Sequence, residues 1–94
     1  MATFLVRVEL HDKPTWDDYE TLHDRMEAQG FHRTITSSDG VAYHLPHAEY
    51  ELEGSFERRE VLDKAKRAAS QVKKKYGALV TQANGQTWAG LEKV

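Results

Sequence analysis

Phe4, Val6, Val8 and Leu10 alternate with Leu5, Arg7, Glu9 and His11, a period-two pattern that predicts an opening strand with one apolar and one mixed face. Asp12-Lys13-Pro14 breaks that strand, since proline cannot donate to a ladder. Thr15 and Asp18 then stand at capping-box spacing, with Asp in place of the usual Glu. Trp16, Tyr19, Leu22, His23 and Met26 recur at three and four residues, which places them on one helical stripe. A helix is therefore expected from about Thr15 to Gln29, with Gly30 as its left-handed C′ residue.

The next stretch, FHRTITSSDGVAYHLPHAEYELEG from Phe31 to Gly54, sets two runs rich in β-branched and aromatic residues around Ser37-Ser38-Asp39-Gly40. A polar cluster ending in glycine between such runs predicts a hairpin, with arms of about 31–36 and 41–53. Pro46 interrupts the long second arm, so that arm must lie at an edge, be bulged, or be split near Leu45-Pro46-His47. Beyond it Ala48, Tyr50 and Leu52 alternate with Glu49, Glu51 and Glu53. The apolar trio is expected under the helices and the glutamates on the other face.

Ser55 is the expected N-cap of a second helix, where Glu57 and Glu60 suit the positive end of the dipole. Val61, Leu62, Ala65, Ala68, Ala69 and Val72 supply its apolar stripe, and Lys73-Lys74-Lys75 ends it. Ala78-Leu79-Val80-Thr81 reads as a strand, and Asn84-Gly85 as a two-residue turn that would fold Gln86–Leu91 back on it as a further strand. The predicted class is α+β. The expected order is a ferredoxin-like β-α-β-β-α-β with an additional C-terminal β-strand, two helices covering one face of an antiparallel sheet in a single domain over residues 1–94.

A chain of 94 residues buries only roughly 60–65% of its unfolded surface, so few apolar positions are spare. The absence of cysteine removes disulfides and thiolate metal sites and suits a reducing cytoplasm. The apolar run near the N-terminus is too short and too interrupted for a signal peptide, and no segment approaches a membrane span, so no membrane partner is expected. A formal charge of −2 gives no whole-molecule attraction for nucleic acid, so any RNA contact needs a local patch.

On the helix-free face, Arg7 and Glu9 are expected beside Glu49 and Glu51, with an Arg7–glutamate cross-strand pair. Glu9 there is a carboxylate able to hold a divalent cation through oxygen ligands, to orient a reacting group or to act as a general base. Five histidines, His11, His23, His32, His44 and His47, match proton transfer near neutral pH. Metal-free RNA cleavage needs a base for the 2′-hydroxyl, an acid for the leaving oxygen and a cation for the phosphate. His23, at the edge of the first helix's apolar stripe, is the general-base candidate. Arg7, Arg25 and Arg33 are the candidate phosphate contacts. On a regular strand His44 and His47 face opposite sides, so only a turn at Pro46 could pair them on a metal. No metal site, small-molecule cofactor or nucleophile motif is expected. The basic residues of the second helix, among them Arg58, Arg59, Lys66 and Lys74, read as a solvated face or as a phosphate track.

Phe4–Glu9, Met26-Glu27-Ala28-Gln29-Gly30-Phe31, Asp39–Pro46 and Glu49-Tyr50 together resemble the GhoS family of endoribonuclease antitoxins from type V toxin–antitoxin systems. That family's fold is ferredoxin-like and similar to the small CRISPR-associated protein that partners the spacer integrase. The resemblance implies cleavage of a toxin messenger RNA. It sets Glu9 at the family's acidic position ending the first strand, and His23 where the family carries an arginine associated with activity. The replacement keeps a proton-transfer group and loses a forked phosphate contact. The alternative is a non-catalytic ferredoxin-like interaction module of host or phage origin that binds a protein through an open sheet or edge. Edge strands of this kind favour a homodimer under either reading.

Overall fold

The computed structural model describes residues 2–94. Its elements are β1 (Ala2–Leu10), α1 (Trp16–Ala28), β2 (Thr34–Thr36), β3 (Ala42–His44), β4 (Glu49–Gly54), α2 (Arg58–Ser70) and β5 (Tyr76–Ala83). β1 is the central strand of a three-stranded antiparallel sheet ordered β4-β1-β5. Phe4, Val6, Val8 and Leu10 are buried from the face that carries the helices, against Leu22 and Met26 of α1 and Val61, Ala65, Ala68 and Ala69 of α2. Burying a large apolar side chain of this kind contributes about 1.5–3 kcal/mol. The α2 alanines keep that helix close to the sheet. Tyr50 and Leu52 join the same core, as the alternation along β4 predicts.

The class is α+β, with two helices and antiparallel sheets. The strand following α1 does not run along β4 as the expected order requires. Among the described residues only the His32–Glu51 bridge pairs that segment with β4, after which β2 pairs with β3 in a separate two-stranded ribbon. The short turn over Ser37–Gly40 holds the ribbon together: Ser37 N–H donates to Val41 O at 2.8 Å and Gly40 N–H to Ser37 O at 3.0 Å. The long second arm is split at Pro46. Glu49 N–H donates to Pro46 O at 3.1 Å, Ala48 adopts φ 68°, and Val8 N–H donates to the Ala48 carbonyl at 3.0 Å.

Three local expectations are corrected. The second helix begins at Arg58, not after Ser55; Glu57 is its N-cap and donates its N–H to Glu60 Oε1 at 3.0 Å. Gln86–Leu91 is not a strand paired with β5. The chain turns at Gly85 (φ 104°) and crosses to β3, where Trp88 meets Tyr43 with ring centroids 5.6 Å apart and His44 N–H donates to Glu92 O at 2.8 Å. The indole gains an aromatic partner and β3 gains backbone partners, neither of which a fold-back on β5 supplies. Arg7 lies opposite Glu49 in register, yet its ion pair is with Glu9 on its own strand at 3.9 Å. Among the described residues, no helix is long and apolar enough to cross a membrane.

Candidate functional site at the α1–β4 edge

The capping box forms as the sequence predicts: Thr15 N–H donates to Asp18 Oδ2 at 2.8 Å and Asp18 N–H to Thr15 Oγ1 at 3.1 Å. It fixes the start of α1 and with it the flank carrying Trp16, Tyr19 and His23. Only Leu22 and Met26 of the predicted stripe are fully buried. Trp16 stays 70% exposed. His47, delivered by the turn whose left-handed residue is Ala48, packs into this flank. Its ring stacks on Trp16 at 5.4 Å and 7°, tilts against Tyr19 at 4.4 Å, and meets His23 edge-on at 5.9 Å.

His23 Nδ1 lies 2.6 Å from Tyr50 Oη. Tyr50 is fully buried, and no other acceptor for its hydroxyl is found among the described residues, so its proton belongs on the bond to Nδ1. That assignment leaves His23 with its own proton on Nε2. Burial, followed by the nearby positive charge of Arg33 and the neighbouring His47 imidazole, lowers the His23 pKa to about 4. Burial raises the Tyr50 phenol above its ordinary range. Both groups are thus neutral at pH 7. Arg33 is half-buried beside them, its carbonyl accepts from Leu45 N–H at 2.8 Å, and its Nε is buried without a hydrogen-bond partner.

The predicted site residues fall into three places. His23 and Arg33 are together. Arg7 and Glu9 are together on the opposite, helix-free face of the sheet, where Glu9 also lies 3.8 Å from His11 Nε2. The sheet stands between His23 and Glu9, so they do not act on one bond. Arg25 is exposed in the last turn of α1, two positions beyond His23 and so roughly 200° around the helix axis from it. Trp16, His47 and Tyr50 are additional members of the site. The i, i+3, i+7 spacing of Trp16, Tyr19 and His23 signals the flank, whereas the return of His47 depends on the φ of Ala48.

The helix-free face is narrower than expected. Gln86 closes over Glu51, donating to its Oε2 at 3.4 Å, and Glu51 is only 9% exposed. Burial and the neighbouring Glu53 raise the Glu51 pKa. His44 does not join His47, and among the described residues no group of three or more metal-ligating side chains is placed to hold an ion. No protein-family model matches the chain, and a search of curated proteins finds no match to it.

Proposed function

We propose that the α1–β4 edge handles single-stranded RNA, and that the protein is a cytoplasmic endoribonuclease of the GhoS-like, ferredoxin-like kind. The observation that carries this reading is the gathering of an exposed indole, two imidazoles and a guanidinium within one flank. An exposed indole offers an unpaired base a stacking surface, and Arg33 supplies a fixed cation for a phosphate. The bond from Tyr50 changes the role expected of His23. In its assigned tautomer His23 has no free lone pair, so it offers Nε2–H as a neutral donor to a phosphoryl oxygen. His47, at the exposed end of the cluster, is the group free to take the 2′-hydroxyl proton as that oxygen bonds to phosphorus, and to return it to the 5′-oxygen as the P–O5′ bond breaks, leaving a 2′,3′-cyclic phosphate. Glu9 and Arg7 have no part in this site.

Labelled single-stranded RNA incubated with the protein, with and without EDTA, tests the reading. Cleavage is expected in both conditions, with a loss of about 10²-fold or more in His47→Ala, a clear loss in Arg33→Ala, and no change in Glu9→Ala. An inactive parent, or a Glu9→Ala variant as impaired as His47→Ala, overturns it. A second reading, the non-catalytic interaction module, is favoured by β5, whose outer edge has no partner strand among the described residues.

A further inference from the structure

Among the described residues β5 pairs only with β1 and no element covers its other side, leaving an eight-residue outer edge, Tyr-Gly-Ala-Leu-Val-Thr-Gln-Ala, with no charge and no proline. Natural edges are ordinarily protected by at least one of these. Leu79, at the middle of the strand, is 64% exposed on the helix-free side. On the helix side a groove of about 750 Å³ runs beside the strand, floored by Phe56, Leu62, Ala78 and Val80 and rimmed by Arg58 and Arg59, with Glu57 the one carboxylate against these two cations. It continues past Tyr76 into a second hollow bordered by Lys66, Lys74 and Lys75. Among the described residues none of these five cations is in an ion pair, and all five are exposed. They are concentrated on one edge of a chain whose formal charge is −2.

We infer that the β5 edge is a docking site for an extended, acidic peptide segment that adds a strand to the sheet. A strand laid about 4.8 Å outside β5 completes the unpaired backbone groups. Its alternate side chains then divide between two surroundings. Those on the helix side lay their stems on the apolar floor and carry carboxylates to Arg58, Arg59 and Lys66, while those on the other side meet Leu79. An alternation of acidic and apolar residues fits both. A second copy of this chain fits poorly on the same edge. Two-fold antiparallel pairing about Leu79 sets the Arg58–Arg59 end of each groove against the Lys66–Lys74 end of the other, opposing like charges. A nucleic acid matches the charge but cannot continue a peptide ladder. The inference deepens the interaction reading and is independent of RNA cleavage.

The test uses the full chain and fluorescence anisotropy with a labelled peptide of about ten alternating Glu and Val residues. Comparison probes are its Lys/Val counterpart, the Glu/Val peptide N-methylated at alternate residues, and a labelled single-stranded oligouridine. The Glu/Val peptide is expected to bind at least about tenfold more tightly than either peptide comparator. The expected weakening is about tenfold or more in Arg58→Glu/Arg59→Glu and in Leu79→Lys, each first shown to be folded by circular dichroism. Equal binding of the N-methylated peptide, absence of peptide binding, or oligouridine binding to the edge in place of the peptide overturns the inference. So does a Leu79→Cys disulfide dimer that persists in a glutathione redox buffer, where exposed thiols that merely collide are capped by glutathione; the natural chain has no cysteine to compete.

Discussion

His23 Nδ1 and Tyr50 Oη, 27 positions apart in the chain, lie 2.6 Å from each other between α1 and β4. The bond joins the helix to the strand at the edge of the core and also sets the chemistry of the imidazole. Tyr50→Phe keeps the ring and its packing against Phe31 and His23 and removes only the donor. A neutral hydrogen bond of this kind contributes about 0.5–1.5 kcal/mol, so urea unfolding of Tyr50→Phe is expected to show a loss in that range. The His23 pKa should rise from about 4, because the phenol stabilises the neutral ring. NMR titration of the His23 ring protons checks the second effect separately from the first.

The two partners differ in how far their neighbours are legible from sequence. Leu22 and Met26 obey the helical period, and Tyr50 obeys the strand alternation, so periodicity alone marks both sides of the bond as core-facing. Their meeting follows once α1 covers β4. The approach of His47 is not visible, because it depends on one non-glycine residue, Ala48, taking a left-handed conformation that no local pattern requires. The detached β2-β3 ribbon and the crossing of Trp88 to Tyr43 are hidden for a related reason. Asn84-Gly85 specifies a turn, but a turn does not specify which edge the chain meets next, and the choice is made by contacts far apart in sequence. The separation of Glu9 from His23, by contrast, is legible: alternation along β1 and β4 sets Glu9 on the helix-free face, and His23 lies on a helix that covers the other.

Acid should weaken the fold partly through His23. Its pKa in the folded chain, about 4, lies below the ordinary value of about 6.5. Between those values the unfolded chain binds a proton that the folded chain refuses. The contribution of His23 is therefore fully present above about pH 6.5 and is lost as pH falls toward 4. Urea midpoints measured from pH 7 to pH 4 should fall across this window. His23→Gln, which cannot gain a proton, should show a shallower decline whatever its stability at pH 7. Equal slopes for the two proteins would mean that the imidazole is not held neutral by its surroundings.

Glu51 works in the opposite direction. Burial first, and Glu53 second, raise its pKa above the ordinary carboxylate value, so the charged form carries a penalty at every pH above its folded pKa. Glu51→Gln retains the shape and an oxygen that accepts from Gln86, and it removes the charge. The variant is expected to be more stable than the parent at pH 7, by about 0.5–1 kcal/mol. The advantage should shrink as pH falls and Glu51 in the parent becomes protonated. Thermal unfolding at pH 7 and at pH 4 measures both the gain and its disappearance.

Gly54 ends β4 with φ 155°, in a region that side chains rarely enter, and a Cβ there would lie 2.5 Å from Phe56 Cε2. Phe56 cannot give way freely. Its ring packs against the core, lies under the Lys64 ammonium at 5.3 Å, and forms part of the groove beside β5. Gly54→Ala therefore combines backbone strain with a clash, and a loss of about 1–3 kcal/mol is expected from urea unfolding. Phe56→Ala should be destabilising by itself, through lost packing. In Gly54→Ala/Phe56→Ala the clash no longer exists, so the double variant should lose less than the sum of the two single losses. Simple additivity would mean that the demand for glycine at 54 comes from the backbone alone. A shortfall of about 0.5 kcal/mol or more would place the conflict between the new methyl and the ring.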